Sequence, residues 1–296
     1  MRRRFVTLDV FTDQRFAGNP LAVVLDAERL DAVTMQAIAR EFSHPETVFV
    51  LPPAEADHRA RVRIFTPARE LPFAGHPTVG TAVLLALREG AAAGRELVLE
   101  EGIGPVRCVL EASAGAGGRA RFTLPQLPTE VGPAPDDATI AAALSLAPAE
   151  LGDLRPARWS AGNPFTFVPV TTRAAVARCR PDPARFEAAF GAGGAPGAAY
   201  VFCRETVGPS RAFHARMFAP GMGIAEDPAT GSAAAAFAGM LAPRLPDGSH
   251  AIAIEQGSEM GRPSLIRLAV AVEAGRLLSA SIGGDAVIVT EGTLEA

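Results

Sequence analysis

The sequence predicts a mixed α/β (α+β) fold of two similar domains, each a curled mixed β-sheet around a central helix. The first observation behind this prediction is an internal duplication. Residues 74–82, AGHPTVGTA, match residues 225–233, AEDPATGSA, at a constant offset (228 − 77 = 151). The second observation is that strand-like and helix-like segments follow one another in the same order in both halves.

Further matches occur in the same order along the chain, with slowly drifting offsets. They are Ala17-Gly18-Asn19-Pro20 with Ala161-Gly162-Asn163-Pro164, Val48-Phe49 with Val201-Phe202, Arg63 to Pro67 with Arg216 to Pro220, and Glu100-Glu101-Gly102 with Glu255-Gln256-Gly257. Each match is weak alone, but their collinearity is hard to obtain by chance. We therefore expect two domains related by a pseudo-two-fold axis.

The elements of the first half can be predicted in order. Strands are expected at 6–10 and 21–25 around a Gly-Asn-Pro turn, then a helix at 31–42, strands at 47–51 and 61–65, and a helix at 77–88. Apolar residues surround most of the last helix, which predicts its burial inside the domain, and proline is favoured at its first position. The alanine-rich helix predicted at 228–241 is its counterpart.

The duplication also sets the predicted domain boundaries. The first domain is expected to comprise residues 1–127, and a C-terminal strand at 285–296 is expected to return to it. The second domain is expected to comprise residues 128–284, and the proline-rich stretch 125–135 is the predicted linker.

Composition restricts the class of protein. A net charge of −4 and few aromatic residues argue against a nucleic-acid surface. No apolar run reaches membrane-spanning length, and the first residues lack the apolar core of an export signal. Three cysteines without CxxC or metal-ligand spacing favour a reduced, cytoplasmic location.

Within the strongest match, the residue before the shared proline changes chemistry, His76 against Asp227. Both residues precede a predicted helix start, where free N–H groups and the helix dipole favour an anion such as a substrate carboxylate. The dipole predicts a neutral, proton-exchanging His76 and an ionised Asp227. An ordinary N-cap role for Asp227 is the alternative, whereas histidine is a poor cap. Gly75 and Gly231 would allow close approach of a ligand.

Glu46 is the third candidate, because its counterpart in the second half is Ala199 (46 + 153 = 199). A glutamate that served a shared turn would be expected in both halves. Burial favours the protonated form of a carboxyl group, which suits a residue that accepts and returns a proton. The alternative is a solvated residue at a strand edge. Ser232 is expected to hydrogen-bond a ligand or Asp227 rather than to act as a nucleophile.

Other chemistry finds little support in the sequence. The histidines at 44, 58, 214 and 250 lack metal-ligand spacing, so no metal site is predicted. No serine nucleophile elbow and no dinucleotide-binding glycine motif is present.

The chain resembles the phenazine-biosynthesis PhzF-like family. The resemblance rests on Gly18-Asn19-Pro20, Glu46-Thr47-Val48-Phe49, Phe73 to Ala82 with its His-Pro pair, Glu226 to Ala233 with its Asp-Pro-Ala-Thr-Gly-Ser run, and Gly261-Arg262-Pro263-Ser264. It implies the diaminopimelate-epimerase-like fold, with the active site between the domains, and a homodimer. It also implies a cofactor-independent isomerase that moves a proton within a dihydro-hydroxyanthranilate.

The resemblance places the acid/base role on Glu46, with His76, Asp227 and Ser232 as partners. We predict substrate contacts from Asn19, Gly75, Thr230, Gly231 and Ser232. His44, in the Ser43-His44-Pro45 lead-in to Glu46, departs from many relatives and is interpreted as a loop residue.

Two alternatives remain. One is an amino-acid epimerase on the same fold, with Glu46 opposed by His76 or Asp227. Epimerisation by paired thiols is disfavoured because no cysteine lies at either helix start. The other is a non-catalytic protein that binds small acids.

Overall fold

A computed structural model describes all 296 residues. Its contacts divide the chain into two compact units, Met1–Pro125 with Ser281–Ala296, and Gln126–Ala280. Residues 281–284 lie in the first unit because they pair with a strand there, whereas the sequence-based boundary assigned them to the second domain. None of the helices is both long and apolar enough to span a membrane.

The first unit contains eight strands and two helices of its own. They are β1 (Arg2–Val10), β2 (Asn19–Val24), α1 (Ala32–Phe42), β3 (Glu46–Leu51), β4 (Ala60–Phe65), β5 (Glu70–Leu71), α2 (Gly75–Arg88), β6 (Glu96–Glu101), β7 (Gly104–Ala114) and β8 (Gly117–Thr123).

The second unit contains eight further strands and four helices. They are β9 (Thr129–Glu130), α3 (Asp137–Ala143), β10 (Ala157–Ser160), β11 (Pro164–Pro169), α4 (Arg173–Arg178), α5 (Phe186–Phe190), β12 (Ala199–Cys203), β13 (Phe213–Ala219), β14 (Ile224–Asp227), α6 (Gly231–Leu241), β15 (Gly248–Gln256) and β16 (Ser264–Glu273). The last strand, β17 (Arg276–Glu295), begins in this unit and continues into the first.

The sheet of the first unit closes around helix α2. The strands pair in the order β1, β2, β3, β4, β6, β7, β8 and β17, and β17 also pairs with β1. The pairs β2–β3 and β4–β6 are parallel, so the sheet is mixed. Every residue of α2 from Gly75 to Ala86 is buried. The predicted curled sheet around a central helix is confirmed for this unit.

The second unit repeats the strand pairing of the first. Antiparallel β10–β11, parallel β11–β12, antiparallel β12–β13, parallel β13–β15 and antiparallel β15–β16 reproduce the order and direction of β1 to β7. Helix α6 packs against β10, β11 and β16. A side chain added at its Gly239 would lie 2.3 Å from the Trp159 ring, so this small residue permits the close packing of helix and strand.

Both central helices begin at residues other than those predicted. Helix α2 begins at Gly75 with Ala74 as N-cap, which places His76 and Pro77 inside its first turn. Proline lacks an N–H and is therefore tolerated throughout the first turn, not only at its first position. Helix α6 begins at Gly231 with Thr230 as N-cap, three residues after the predicted start at Pro228.

The later start of α6 corrects the predicted N-cap role of Asp227, which is the last residue of strand β14. The side-chain amide of Gln256 donates to the Asp227 carbonyl at 2.7 Å, and the amide N–H of Thr230 donates to the Gln256 side-chain oxygen at 3.2 Å. These bonds hold the segment before Gly231 in a non-helical conformation.

Candidate active site

Two parallel strands bring the first candidate residues together. Strands β2 and β3 run parallel with Leu21 opposite Glu46, so both strands begin at the same edge of the sheet. The backbone of Pro20 and the side chain of Glu46 therefore lie side by side. The left-handed turn before Pro20 needs Gly18, which has a φ of +63° and whose Cβ would lie 2.4 Å from the Val10 carbonyl oxygen.

His76 faces this edge from the first turn of α2. Its Nε2 lies 3.3 Å from Oε2 of Glu46, and the two side chains are 5% and 13% exposed. Its ring is also hydrogen-bonded to the backbone of Pro20. The structure thus places Glu46 and His76, which the duplication identified separately, within reach of each other.

The hydrogen bond to Pro20 determines the tautomer of His76. Because proline has no N–H, the only backbone group of Pro20 that can bind the ring is its carbonyl oxygen. This oxygen accepts, so the ring must donate. Because Nε2 faces Glu46 and makes no aligned hydrogen bond, the donor is Nδ1–H. In the neutral ring Nε2 then carries the lone pair. This nitrogen can accept a proton from a protonated Glu46 but cannot donate one to an ionised Glu46.

Burial keeps the imidazole neutral. It lowers the pKa of His76 to about 3, the Pro20 hydrogen bond raises it, and a smaller repulsion from His44 lowers it further. The predicted neutral histidine therefore has desolvation as its main cause. His44 itself is half-buried and stacks on Phe42, with ring centroids 6.2 Å apart.

Asp227 has a different environment in the second unit. Its Oδ2 accepts a hydrogen bond from the Thr230 hydroxyl at 2.6 Å, and the same hydroxyl accepts one from the Gln256 side-chain amide at 3.0 Å. Asp227, Thr230 and Gln256 are all buried. The expected partner Ser232 is half-buried on the first turn of α6, and the hydroxyl bound to Asp227 is that of Thr230.

The remaining predicted contact residues are the first residues of β2, α2 and α6. Asn19 is fully buried at the first residue of β2, and Gly75 is the buried first residue of α2. Gly231 is the buried first residue of α6. Free backbone N–H groups at both helix starts are suited to bind an anion.

The structure contains no group of three or more His, Cys, Asp or Glu side chains that could hold a metal ion. The buried His214 instead lies between Glu255 and Glu259, with N–O distances of 2.9 and 2.8 Å.

Comparison with known proteins identifies the family. The sequence profile described as "Phenazine biosynthesis-like protein" (PhzC-PhzF) matches residues 8–292. The chain belongs to the PhzC-PhzF family. It is 51% identical to an uncharacterized isomerase of Mesorhizobium japonicum, mll1393, over an alignment of 306 positions covering 99% of this chain and 98% of that protein.

Other PhzC-PhzF relatives carry a more specific name. The chain is 36% identical to the trans-2,3-dihydro-3-hydroxyanthranilate isomerase of Pseudomonas aeruginosa, and the alignment covers 98% of both proteins. A phenazine biosynthesis protein of the PhzF family from Bacillus anthracis superposes with a TM-score of 0.88 at 27% identity, covering both chains completely. The prediction of an isomerase of this family is confirmed at the level of the enzyme class.

The same fold occurs outside the PhzC-PhzF family. A hydroxyproline epimerase from Agrobacterium vitis superposes with a TM-score of 0.62 at 13% identity, over 99% of this chain and 92% of that one. The predicted epimerase-like fold is therefore confirmed.

The three cysteines of this PhzC-PhzF chain are free and buried. Burial raises the pKa of the Cys108 thiol well above its usual range, that of Cys179 to about 12 and that of Cys203 to about 11. They are therefore poorly suited to act as thiolate bases near neutral pH.

The structure adds site residues that the sequence did not identify. The Pro20 carbonyl orients His76, but a backbone atom leaves no side-chain signal. Gln256 binds both Asp227 and Thr230, and Glu101 binds Thr78 on the first turn of α2. Glu101 and Gln256 occupy one repeated position, Glu-Glu-Gly and Glu-Gln-Gly, so the duplication carried a signal that could have identified them.

Proposed function

We propose that this protein shifts a proton within a small cyclic carboxylate of the dihydro-hydroxyanthranilate class, with Glu46 as acid and base and without a cofactor. The observation that carries the proposal is the pair of the buried His76 and the half-buried Glu46, with Nε2 3.3 Å from Oε2. The name of the P. aeruginosa relative supports this choice of substrate class.

In the proposed reaction, the Glu46 carboxylate removes a proton from a ring carbon. The electron pair of that C–H bond moves into the conjugated system of the substrate, and Glu46 becomes a neutral acid. This acid can donate to Nε2 of His76, which holds the carboxyl group in place. Glu46 then returns the proton to another ring carbon, so substrate and product have the same composition.

The other predicted residues are proposed to bind the substrate. The N–H groups at the starts of α2 and α6 would hold its carboxylate, near Gly75 and Gly231. Asn19, Thr230 and Ser232 would bind its polar groups. Asp227 would accept a hydrogen bond from the substrate while the Thr230 hydroxyl orients it. We predict that both helix starts bind one substrate. The effects of His76→Asn and Asp227→Asn on kcat/KM should then be non-additive in the double variant.

The test uses trans-2,3-dihydro-3-hydroxyanthranilate in deuterated water, followed by NMR. Wild type should convert it and place solvent deuterium on a ring carbon of the product. Glu46→Gln should reduce kcat about 10²–10⁴-fold, the usual contribution of a general acid/base, while Kd changes little. Glu41→Gln, the same substitution at an exposed residue of α1, is the matched control and should behave as wild type.

Three results would contradict this function. Sustained turnover by Glu46→Gln would remove the acid/base role. Exchange at one stereocentre, with inverted product, would indicate an epimerase. Tight binding of carboxylates without any exchange would indicate a binding protein.

We further propose a cytoplasmic homodimer. The odd number of cysteines, all free, is the support for a reducing location. Sedimentation equilibrium of the purified protein tests the dimer, and a mass of one chain, 30.7 kDa, would contradict it.

A further inference from the structure

Glu101 is a buried carboxyl group next to the candidate active site that the proposed reaction does not use. It is the last residue of β6 and is 8% exposed. Its Oε1 lies 2.7 Å from the Thr78 hydroxyl, and its Oε2 is buried without a hydrogen-bond partner. Thr78 lies on the same turn of α2 as His76, two residues further along the chain.

The hydroxyl of Thr78 has two oxygen neighbours but one proton. It lies 2.8 Å from the carbonyl oxygen of Ala74, the N-cap of α2, as well as 2.7 Å from Glu101. A carbonyl can only accept, so Thr78 donates to Ala74. The contact of 2.7 Å with Glu101 is a second full hydrogen bond only when Glu101 is protonated and donates through Oε1. An ionised Glu101 would compete with Ala74 for the proton of Thr78.

The second unit has a permanently neutral group at the corresponding position. Gln256 is the repeat counterpart of Glu101 (101 + 155 = 256). Its side-chain amide donates to the hydroxyl of Thr230, the N-cap of α6, and to the carbonyl of Asp227. In both units the side chain at this position thus contacts a threonine hydroxyl at the start of the central helix, Thr78 in the first turn of α2 and Thr230 at the N-cap of α6. Glutamine donates at every pH, whereas glutamate donates only while protonated.

The surroundings of Glu101 favour the protonated form. Burial raises the pKa of Glu101 to about 8, and a bond donated by Thr78 to the ionised carboxylate would act in the opposite direction. The Cys108 thiol of β7 faces it and is neutral, because burial raises its own pKa. The remaining charged neighbours line a cavity of about 540 Å³ at the end of β6 that Glu101 also lines. They are Arg61, Arg63, Glu70 and Glu100.

Three of these neighbours have their own partners. Arg63 pairs with Glu70, and Glu100 accepts bonds from the N–H groups of residues 54 and 55 and from His58. Arg61 is exposed to solvent on β4. The cavity gives Glu101 a route for exchanging its proton with water.

We propose that protonated Glu101 is a positioning residue, which holds the first turn of α2, and with it His76, through the hydroxyl of Thr78. The role in turnover rests on the proposed isomerase function. Loss of the proton would draw the Thr78 hydroxyl from the Ala74 carbonyl to Glu101, leave that carbonyl with only the 3.3 Å bond from the Thr78 N–H, and loosen the turn that presents Nε2 to Glu46. The enzyme would then lose activity as the pH rises through the range in which Glu101 ionises.

The decisive variant is Glu101→Gln, which installs the neutral side chain that the second unit uses. Wild-type kcat/KM should fall about tenfold between pH 7 and pH 9 as the carboxyl ionises. The variant should retain its activity over this range. Glu100→Gln, one residue away in the same cavity, is the matched control and should keep the alkaline loss.

Two measurements are independent of turnover. In protein labelled with ¹³C at glutamate side chains, one carboxyl resonance should titrate near pH 8 in wild type and be missing from Glu101→Gln. The wild-type Tm relative to the variant should be highest below pH 4.5 and should fall as the pH rises through 8. This is the sign expected for an acid with a raised pKa in the folded state.

The outcomes separate the two proposals. An alkaline loss that persists in Glu101→Gln, or a Glu101 resonance that titrates in the normal range, would overturn the positioning role whatever the substrate. If no turnover is found but the resonance and the Tm behave as expected, the result supports protonated Glu101 as the group that holds the first turn of α2. It contradicts the proposed substrate. If Glu101→Gln is too unstable to purify, the wild-type carboxyl resonance remains the test. Thr78→Val then assigns it, because removing the hydroxyl should shift the resonance of Glu101.

Discussion

The two central helices begin on the same scaffold but differ in the groups that surround their first residues. In the first unit a neutral imidazole, His76, is oriented by a backbone carbonyl and presents a basic nitrogen to Glu46. In the second unit Asp227 lies on the preceding strand and accepts a bond from Thr230. The counterpart of Glu46 there is Ala199. The first helix start therefore places a carboxyl group beside an imidazole ring, a combination that the counterpart positions of the second unit, Ala199 and Asp227, do not offer.

Replacing His76 by the residue of the second unit should produce the largest effect on activity. His76→Asp places a carboxylate beside Glu46 and removes the donor that binds the Pro20 carbonyl. We expect kcat to fall about 10²–10⁴-fold, because two neighbouring carboxylates cannot both ionise freely and protonated Glu46 loses the nitrogen that accepts its hydrogen bond. Steady-state kinetics measures kcat, and circular dichroism shows whether the variant is folded.

His76→Asn is the matched control, because it removes the basic nitrogen without adding a charge. A smaller loss in His76→Asn than in His76→Asp would assign the difference to charge repulsion. Near-wild-type kcat in both variants would mean that His76 takes no part in proton transfer.

Arg63 and its counterpart Arg216 each form an ion pair with a glutamate, and the two ion pairs differ in burial. Arg63 binds Glu70 through two N–O contacts of 2.6 Å, and Arg216 binds Glu226 through two of 2.7 Å. The first pair is 29% and 42% exposed, the second 5% and 16%. Arg216 also donates to three backbone carbonyls within residues 176–179.

Arg216→Leu should therefore lower the free energy of unfolding by about 3–5 kcal/mol, because it leaves Glu226 buried without its partner. Arg63→Leu should cost about 1 kcal/mol or less. Urea unfolding followed by circular dichroism measures both. The fluorescence of the single tryptophan, Trp159, reports the second unit separately. Equal costs would show that burial does not distinguish the two pairs.

The duplication explains why so much of the fold could be predicted. Collinear matches such as Arg63 to Pro67 with Arg216 to Pro220 fall on equivalent strands, β4 and β13, with equivalent pairing. Local patterns also gave the burial of α2, since apolar residues surround it. The same comparison isolated Glu46 and His76 as unmatched residues, and the structure brings them together.

The start of α6 could not be predicted, because it depends on contacts between residues far apart in sequence. A proline after an aspartate is a typical local helix start, but Gln256 binds the backbone of Asp227 and Thr230 from 29 and 26 residues away. The orientation of His76 depends likewise on Pro20. Hydrogen bonds between distant backbone groups leave no periodicity and no motif.

The smallest expected effect concerns His44, whose counterpart is Gly197 (44 + 153 = 197). Its charge is the last and smallest influence on His76, and it lowers the pKa of that ring. His44→Gln should therefore raise the pKa of His76 by less than about one unit, since most of the shift comes from burial. Imidazole ¹⁵N chemical shifts measured between pH 3 and pH 8 test this.

The lowered pKa of His76 also determines how His44→Gln changes the stability of the protein at low pH. Because its folded-state pKa of about 3 lies below the usual 6.5, His76 contributes stability that is present above pH 6.5 and is lost as the pH falls toward 3. Removing the repulsion from His44 brings the two values closer, so His44→Gln should unfold at a slightly lower pH than wild type. Glu41→Gln, at an exposed residue of α1, is the control and should leave the His76 shifts unchanged. An unchanged titration of His76 in His44→Gln would mean that burial alone, against the opposing effect of the Pro20 bond, keeps the ring neutral beside Glu46.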